Sequence, residues 1–156
     1  NLCQRVFSFI KKNCSNKIPK AKKLIDSDRK LLNQLKNNIP NLIKLMDNQD
    51  LNEFIKTVVS YSFDANKYFN DSEPWSVKKK DPERMKAILF TTCEQIKNIS
   101  ILLNSIIPIA TDKVLETMNV KKENRSINQI SSLECFDHNK ELKELDILFK
   151  KIENDN

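Results

Sequence analysis

No glycine occurs in the 156-residue sequence, and this absence limits both the folds and the functions that the chain can have. Glycine is the usual residue where the backbone needs a positive φ or must approach a ligand closely, as in phosphate-binding loops. The sequence therefore predicts no Rossmann or P-loop nucleotide site. Tight β-hairpin turns also depend on glycine, and no segment alternates apolar and polar residues as a strand would. We expect an all-α fold.

Length and composition indicate a single globular domain with an excess of basic residues. One hydrophobic core commonly serves about 100–200 residues, so we assign residues 1–156 to one domain. The 27 basic residues outnumber the 21 acidic residues and give a net charge of +6. This excess favours a polyanionic partner without proving one. The sequence starts at Asn1 without a methionine, so we expect a fragment of a larger protein.

The few metal-binding and redox-active residues exclude several classes of site. His138 is the only histidine, which excludes sites built from several histidines. The four cysteines are far apart in the sequence and form no C-x-x-C pair, so we expect no metal site. Free thiols in helices favour a reducing cytoplasm over a disulfide-bonded secreted domain. The cysteines are Cys3, Cys14, Cys93 and Cys135.

Apolar residues at helical spacing predict three helices in the first half of the chain. The first covers residues 1–13. The second starts near Ser27 or Asp28, either of which is a good N-cap, and its apolar register continues past Pro40 with a kink. The third starts at Asp50. Each of these helices has one apolar face that we expect to be buried.

Two further helices and a C-terminal tail are predicted in the second half. Asp81 is the expected N-cap of the fourth helix, and Pro82 stands at its first position, where the missing N–H costs nothing. We expect Pro108 to end this helix and residues 109–118 to form a fifth. Residues 142–152 are predicted to be a last short helix or a docked tail. The expected architecture is a helical bundle of about five main helices.

A polar face of the first predicted helix is the first candidate site. It lies opposite the apolar residues of that helix. Asparagine both donates and accepts hydrogen bonds, and arginine has a planar fork of donors, so both suit the edges of unstacked bases. The alternative is a face that only contacts solvent. The residues of this face are Asn1, Arg5, Ser8 and Lys12.

The only tryptophan, Trp75, is the second candidate. It follows Pro74 in a segment that we predict to be a stiff polar loop, and stacking of a base on an exposed aromatic ring is worth about 1–3 kcal/mol. The alternative is a tryptophan packed in the core. Three lysines, Lys78, Lys79 and Lys80, follow it and either attract phosphate or form a solvated helix start.

Several segments of the chain resemble the anticodon-binding domain of methionyl-tRNA synthetases. The segment Ala65-Asn66-Lys67-Tyr68, with the residues up to Arg84, resembles the part of that family that carries a tryptophan stacked on an anticodon base. The sequence Glu73-Pro74-Trp75-Ser76-Val77-Lys78-Lys79 and the sequence Asp81-Pro82-Glu83-Arg84 complete this match. The opening residues 1–5 are similar to the start of the family's helical domain, and residues 102–108 are similar to a later helix that breaks at a proline. Residues 148–153 resemble the closing Leu-Phe-Pro-Arg-Ile-Glu of the family, with Lys150 and Lys151 in place of Pro and Arg.

The resemblance implies a function. The parent protein would join methionine to its tRNA with ATP, while this chain would bind the tRNA without catalysing the reaction. Trp75 would stack on an anticodon base, supported by Pro74, and Asn1 and Arg5 would hydrogen-bond to anticodon bases. ATP, zinc and the catalytic residues of the family belong to the catalytic domain, so we expect none of them in this chain. From the residues alone, a helical protein–protein interaction module with an acidic partner is the alternative.

Overall fold

The computed structural model describes residues 2–145, which form six α-helices and two short 3-10 helices. The α-helices are α1 (Leu2–Asn13), α2 (Asp26–Asp47), α3 (Leu51–Ser72), α4 (Pro74–Val77), α5 (Pro82–Leu103) and α6 (Pro108–Thr117), and the 3-10 helices are Lys122–Asn124 and Ile127–Ser131. Since α4 is a single turn, the other five α-helices are the main ones. The predicted all-α bundle with about five main helices is confirmed. No helix among the described residues is long and apolar enough to cross a membrane.

The α5 helix is the centre of the bundle and packs against all the other α-helices. Every residue from Ala87 to Leu102 is buried, so the rest of the bundle surrounds this stretch of the helix. The predicted end of the helix at Pro108 was wrong, because α5 ends at Leu103. Pro108 instead occupies the first position of α6, where a proline leaves no helical hydrogen bond unmade.

The start of α2 also differs from the prediction. The helix begins at Asp26, and neither Ser27 nor Asp28 is its N-cap residue. Asp28 lies in the first turn, and its carboxylate accepts a hydrogen bond from the backbone N–H of Ile25 at 3.0 Å. The helix start is therefore capped from inside the helix. As predicted, α2 continues through Pro40.

The predicted N-caps of α3 and α5 are confirmed. The carboxylate of Asp50 accepts a hydrogen bond from the N–H of Glu53 at 3.4 Å. Asp81 accepts one from the N–H of Arg84 at 3.0 Å, and Pro82 follows it at the first helical position. Both caps satisfy an N–H group that has no partner inside its helix.

The chain reverses direction after its helices without glycine. Five residues between positions 2 and 145 have a Cβ atom and a positive φ, and each of them follows the end of a helix. The left-handed region places Cβ close to the next carbonyl oxygen, which costs about 1–2 kcal/mol and is tolerated best by asparagine. The five are Ser15, Asn16, Gln49, Glu73 and Asn119.

Gln49 is the best position to measure this cost, since it is exposed and has φ of 58°. Gln49→Gly removes the Cβ clash but makes the unfolded chain more flexible, so we expect a net stabilisation of about 0.5–1 kcal/mol. Urea denaturation measures the change. Gln49→Ala keeps Cβ and is the matched control, for which we expect no gain. Equal stability of the two variants would contradict the steric argument.

The described part of the C-terminal tail docks on the bundle without forming a helix. The N–H of Leu142 donates to the carbonyl oxygen of Asn16 at 2.7 Å, and the N–H of Lys143 donates to that of Thr117 at 3.0 Å. Leu142 is buried. The rest of the predicted segment 142–152, and the segment 148–153 that resembles the family's closing sequence, lie outside the described residues.

Candidate nucleic-acid interface

Arg5 lies on the exposed side of α1, and α3 holds its guanidinium group in place. The two terminal nitrogens donate hydrogen bonds to the amide oxygens of Asn66 at 3.2 Å and Asn70 at 2.6 Å. The central carbon of the guanidinium lies 5.3 Å from the centre of the Phe69 ring. Because arginine has five N–H donors and these described partners use two of them, Arg5 is oriented and keeps donors for a ligand.

The α3 helix supplies all three of these partners from one face. Asn66, Phe69 and Asn70 stand three and four residues apart, which places them side by side on a helix. Neither Asn66 nor Asn70 was predicted from the sequence to be a site residue. Their i, i+4 spacing is the only local signal, and it does not reveal that their partner is Arg5.

Trp75 lies in the single turn of α4, so the predicted polar loop was wrong. The chain ends α3 at Glu73 in the left-handed conformation (φ 46°), and Pro74 then starts a new turn. The N–H of Val77 donates to the carbonyl of Glu73 at 3.1 Å, and that of Lys78 to the carbonyl of Pro74 at 3.0 Å. Proline forms this turn readily because its fixed φ suits the first helical position.

The ring of Phe69 connects Trp75 with Arg5. Phe69 is 2% exposed, whereas Trp75 keeps 40% of its surface accessible. The two rings meet edge to face, with centroids 5.8 Å apart and planes at 70°. Because Arg5 and Trp75 contact the same buried ring, the structure brings them together on one surface. We call this surface the Arg5–Trp75 face, and it comprises Arg5, Asn66, Phe69, Asn70 and Trp75.

The structure also gives positions for most of the other candidates. Asn1 lies outside the described residues. Ser8 and Lys12 are exposed on α1, on the side that carries Arg5. Lys79 is exposed, whereas Lys78 is partly buried.

The two lysines therefore differ in what they contact. The ammonium group of Lys78 donates a hydrogen bond to the side-chain oxygen of Asn13 at 3.2 Å. Lys78 thus connects α4 with the end of α1. Pro74, which we expected to support the tryptophan, is buried.

A buried carboxylate fixes the helices next to this face. Asp28 is fully buried and accepts hydrogen bonds from Arg84 at 2.7 and 2.9 Å and from the hydroxyl of Tyr68, the neighbour of Phe69. Burial tends to raise the pKa of Asp28. The hydrogen bonds from Arg84, Tyr68 and the N–H of Ile25 outweigh that effect and hold this pKa below its ordinary value. The charged carboxylate therefore joins α2, α3 and α5.

The Arg5–Trp75 face has the chemistry of a binding surface for planar, polar ligands. It offers guanidinium donors beside amide groups, with an accessible aromatic ring next to them. Unstacked nucleobases are bound by such groups, through stacking and through hydrogen bonds to their edges. Among residues 2–145, no three or more His, Cys, Asp or Glu side chains cluster closely enough to hold a metal ion.

A family model described as the anticodon-binding domain of methionyl tRNA ligase matches residues 18–156. The chain belongs to this family. Among its relatives, the methionine–tRNA ligase of Brucella suis is 32% identical over 130 residues, which is 83% of this chain and 25% of the relative. That of Rickettsia felis is 30% identical over 158 residues, covering 99% of this chain and 31% of the relative. The chain thus spans about a quarter to a third of these methionine–tRNA ligases.

Solved structures of a methionyl-tRNA synthetase have the same helical fold. The free form of the Mycobacterium tuberculosis enzyme superposes with a TM-score of 0.89 at 24% identity, over 99% of this chain and 32% of that one. Its form bound by methionyl-adenylate gives a TM-score of 0.80 at 26% identity, over 85% of this chain and 27% of that one. Since the family model begins at residue 18, Trp75 lies inside its matched range and Arg5 lies before it.

Proposed function

We propose that this chain is the anticodon-binding domain, residues 1–156, of a methionine–tRNA ligase that joins methionine to its tRNA with ATP. The chain itself binds the tRNA, and the catalytic domain of the parent protein carries out the reaction. Membership of the anticodon-binding family supports this proposal. We assign ATP and zinc to the catalytic domain. The cytoplasm remains our predicted location, favoured by the four free thiols.

The proximity of Arg5 and Trp75 is the observation that carries the proposal for the site. We propose that a base of the methionine anticodon stacks on Trp75 while Arg5 donates hydrogen bonds to anticodon bases, with Asn66 and Asn70 holding its guanidinium. Asn1 would add a donor and an acceptor at the start of α1. Such contacts read the edges of unstacked bases and so depend on the sequence of the anticodon.

The phosphate contacts are a separate part of the proposal. Lys79 is exposed and close in sequence to Trp75, so we propose that it contacts a phosphate of the bound strand. Lys78 has the same proposed role, because its ammonium group has donors beyond the one used by Asn13. Pro74 supports the indole by starting the turn that carries it.

Binding of tRNA by Trp75 variants tests this function. Trp75→Ala is expected to weaken binding of the methionine tRNA by about 1–3 kcal/mol, or about 5- to 150-fold, because the stacking surface is lost. Fluorescence anisotropy with labelled tRNA measures affinity, and circular dichroism checks that the bundle stays folded. Trp75→Phe keeps an aromatic surface and should retain part of the affinity.

A tRNA with a changed anticodon is the second arm of this experiment. The unmodified chain should bind it more weakly than the methionine tRNA, and Arg5→Lys should reduce this difference, since lysine keeps the charge but lacks the planar fork. Equal binding of both tRNAs by the unmodified chain would refute anticodon recognition. Unchanged affinity of a folded Trp75→Ala variant would remove Trp75 from the site.

A further inference from the structure

A surface cavity of about 940 Å³ lies between the connection from α1 to α2 and the start of α5. Lysines are the most frequent residues in its lining. We call the cavity the lysine basin, after Lys17, Lys20, Lys22 and Lys86. None of these four residues is among the candidate site residues described above.

The charges of the lysine basin are poorly balanced by the groups that line it. Among the described residues that line the basin, Glu83 is the only one with a carboxylate. Its oxygen lies 3.2 Å from the ammonium nitrogen of Lys86 and 3.9 Å from that of Lys22. Four ammonium groups outnumber this one carboxylate in the lining, so the basin has an excess of positive charge that attracts anions.

Buried neighbours hold the segment that carries three of these lysines. Ile18 and Pro19 are buried next to Lys17. The carbonyl of Ile18 accepts a hydrogen bond at 2.8 Å from Nδ1 of His138, which must carry the hydrogen because a carbonyl oxygen can only accept. The backbones of Lys17 and Glu141 also form an isolated antiparallel β-bridge. The lysines therefore extend from a held backbone, and only their side chains must become ordered when an anion binds.

A contact between Asn13 and Lys78 links the lysine basin to the turn that carries Trp75. Asn13 lines the basin and accepts the hydrogen bond of Lys78, which follows the turn that carries Trp75. Arg5 and Asn13 belong to the same helix and stand about 12 Å apart along its axis. A nucleic-acid strand bound at the Arg5–Trp75 face can therefore continue into the basin.

We propose that the lysine basin binds the sugar–phosphate backbone of the tRNA strand that flanks the anticodon. This inference rests on the proposed function. Lysine ammonium groups bind phosphates as point charges and read no sequence, so the basin adds affinity and fixes the orientation of the RNA. The anticodon bases at the Arg5–Trp75 face supply the selectivity.

Salt dependence of RNA binding separates the basin from a general effect of positive charge. The test variant is Lys17→Gln/Lys20→Gln/Lys22→Gln, which leaves the pair of Lys86 with Glu83 intact. The control variant removes the same charge from the far end of the α2–α3 hairpin and from the middle of α2. It carries the substitutions Lys36→Gln, Lys44→Gln and Lys56→Gln, all at exposed positions.

Each phosphate contact contributes about 0.7–0.9 to the slope of log affinity against log salt concentration. With an anticodon stem–loop RNA, the basin variant should lower the magnitude of this slope by about two units. It should weaken binding equally for the methionine anticodon and a changed one. The control variant should keep the slope of the unmodified chain. A short single-stranded oligonucleotide that contains only the anticodon should bind the basin variant and the unmodified chain alike.

Several results would overturn the proposal. One is an unchanged slope for a basin variant that is folded by circular dichroism, and another is an equal loss of slope in the control variant. A labelled polyglutamate peptide that binds the basin more tightly than the stem–loop RNA would instead indicate an acidic protein partner. If the unmodified chain prefers the methionine anticodon while the basin variant has no effect, the basin alone is refuted. If that preference is absent, the proposed function fails and this inference fails with it.

Discussion

Replacing Asp28 by alanine is expected to lower the free energy of unfolding by about 3–5 kcal/mol, because the change removes the anion from a buried ion pair. The side chain of Arg84 is only 20% exposed, so its guanidinium would remain largely buried without its partner. The hydroxyl of Tyr68 and the N–H of Ile25 would lose the same acceptor. Chemical denaturation followed by circular dichroism measures the loss.

Asp26→Ala is the matched control for this prediction. Asp26 lies in the same turn of α2, but its side chain is fully exposed and pairs with Arg29 at the surface. Surface pairs of this kind contribute little to stability, so we expect little change. A small effect of Asp28→Ala would mean that Arg84 finds another acceptor or water, and that the network does not hold the three helices together.

The same carboxylate gives a pH dependence with a defined sign. Although burial tends to raise the pKa of Asp28, its hydrogen bonds lower that pKa below the unfolded value of about 3.9. The contribution of Asp28 is therefore complete above about pH 3.9 and is lost as the pH falls through the folded-state value. Between pH 5 and pH 2, the natural chain should lose more stability than Asp28→Asn.

The helices could be predicted because their signals are local. Apolar spacing, the N-caps Asp50 and Asp81, and Pro82 all act within one or two turns of the chain. The same local reasoning failed where the helix start depends on a distant partner. Asp28 was a plausible N-cap by residue type, but Arg84 and Tyr68 hold its carboxylate in the interior instead.

The candidate site was only partly predictable for the same reason. Arg5 and Trp75 stood out in the sequence by residue type and by resemblance to the family. The partners of Arg5 did not, because Asn66 and Asn70 lie 61 and 65 residues away in the sequence. No local pattern records such a pairing.

The structure explains why the segments that resemble the family contain more than ligand-binding residues. In Ala65-Asn66-Lys67-Tyr68, Asn66 orients Arg5 and Tyr68 binds Asp28. In Asp81-Pro82-Glu83-Arg84, Asp81 caps α5 and Arg84 binds the same carboxylate. These segments place the Arg5–Trp75 face by fixing α3 and α5 to α2. Variants in this network should therefore lower stability and RNA affinity together, whereas Trp75→Ala should lower affinity alone.

Replacing Lys97 by methionine is expected to lower the free energy of unfolding by about 3–5 kcal/mol, since it leaves Glu94 buried without a cation. Both side chains have no exposed surface, and the ammonium nitrogen lies 3.0 and 3.2 Å from the two carboxylate oxygens. Lys97 also donates to the carbonyls of Gln129 at 3.1 Å and Ser132 at 2.8 Å. These bonds tie the 3-10 helix Ile127–Ser131 to α5, and methionine can make none of them. Urea denaturation measures the loss.

The pH dependence of this variant distinguishes a lost ion pair from a simple packing defect. Burial raises the pKa of Glu94 to about 7, and Lys97 opposes that rise. Without Lys97 the folded-state pKa of Glu94 increases further. Folding at neutral pH then requires that Glu94 takes up a proton. A raised folded-state pKa gives stability that is complete below the unfolded pKa of about 4.3 and is lost as the pH rises. Both proteins should therefore lose stability as the pH rises towards 7, and above about pH 7 Lys97→Met should continue to lose up to about 1.4 kcal/mol per pH unit while the natural chain levels off. The double variant Glu94→Gln/Lys97→Met lacks the titrating group and should not show this dependence. A similar dependence in both variants would contradict its assignment to Glu94.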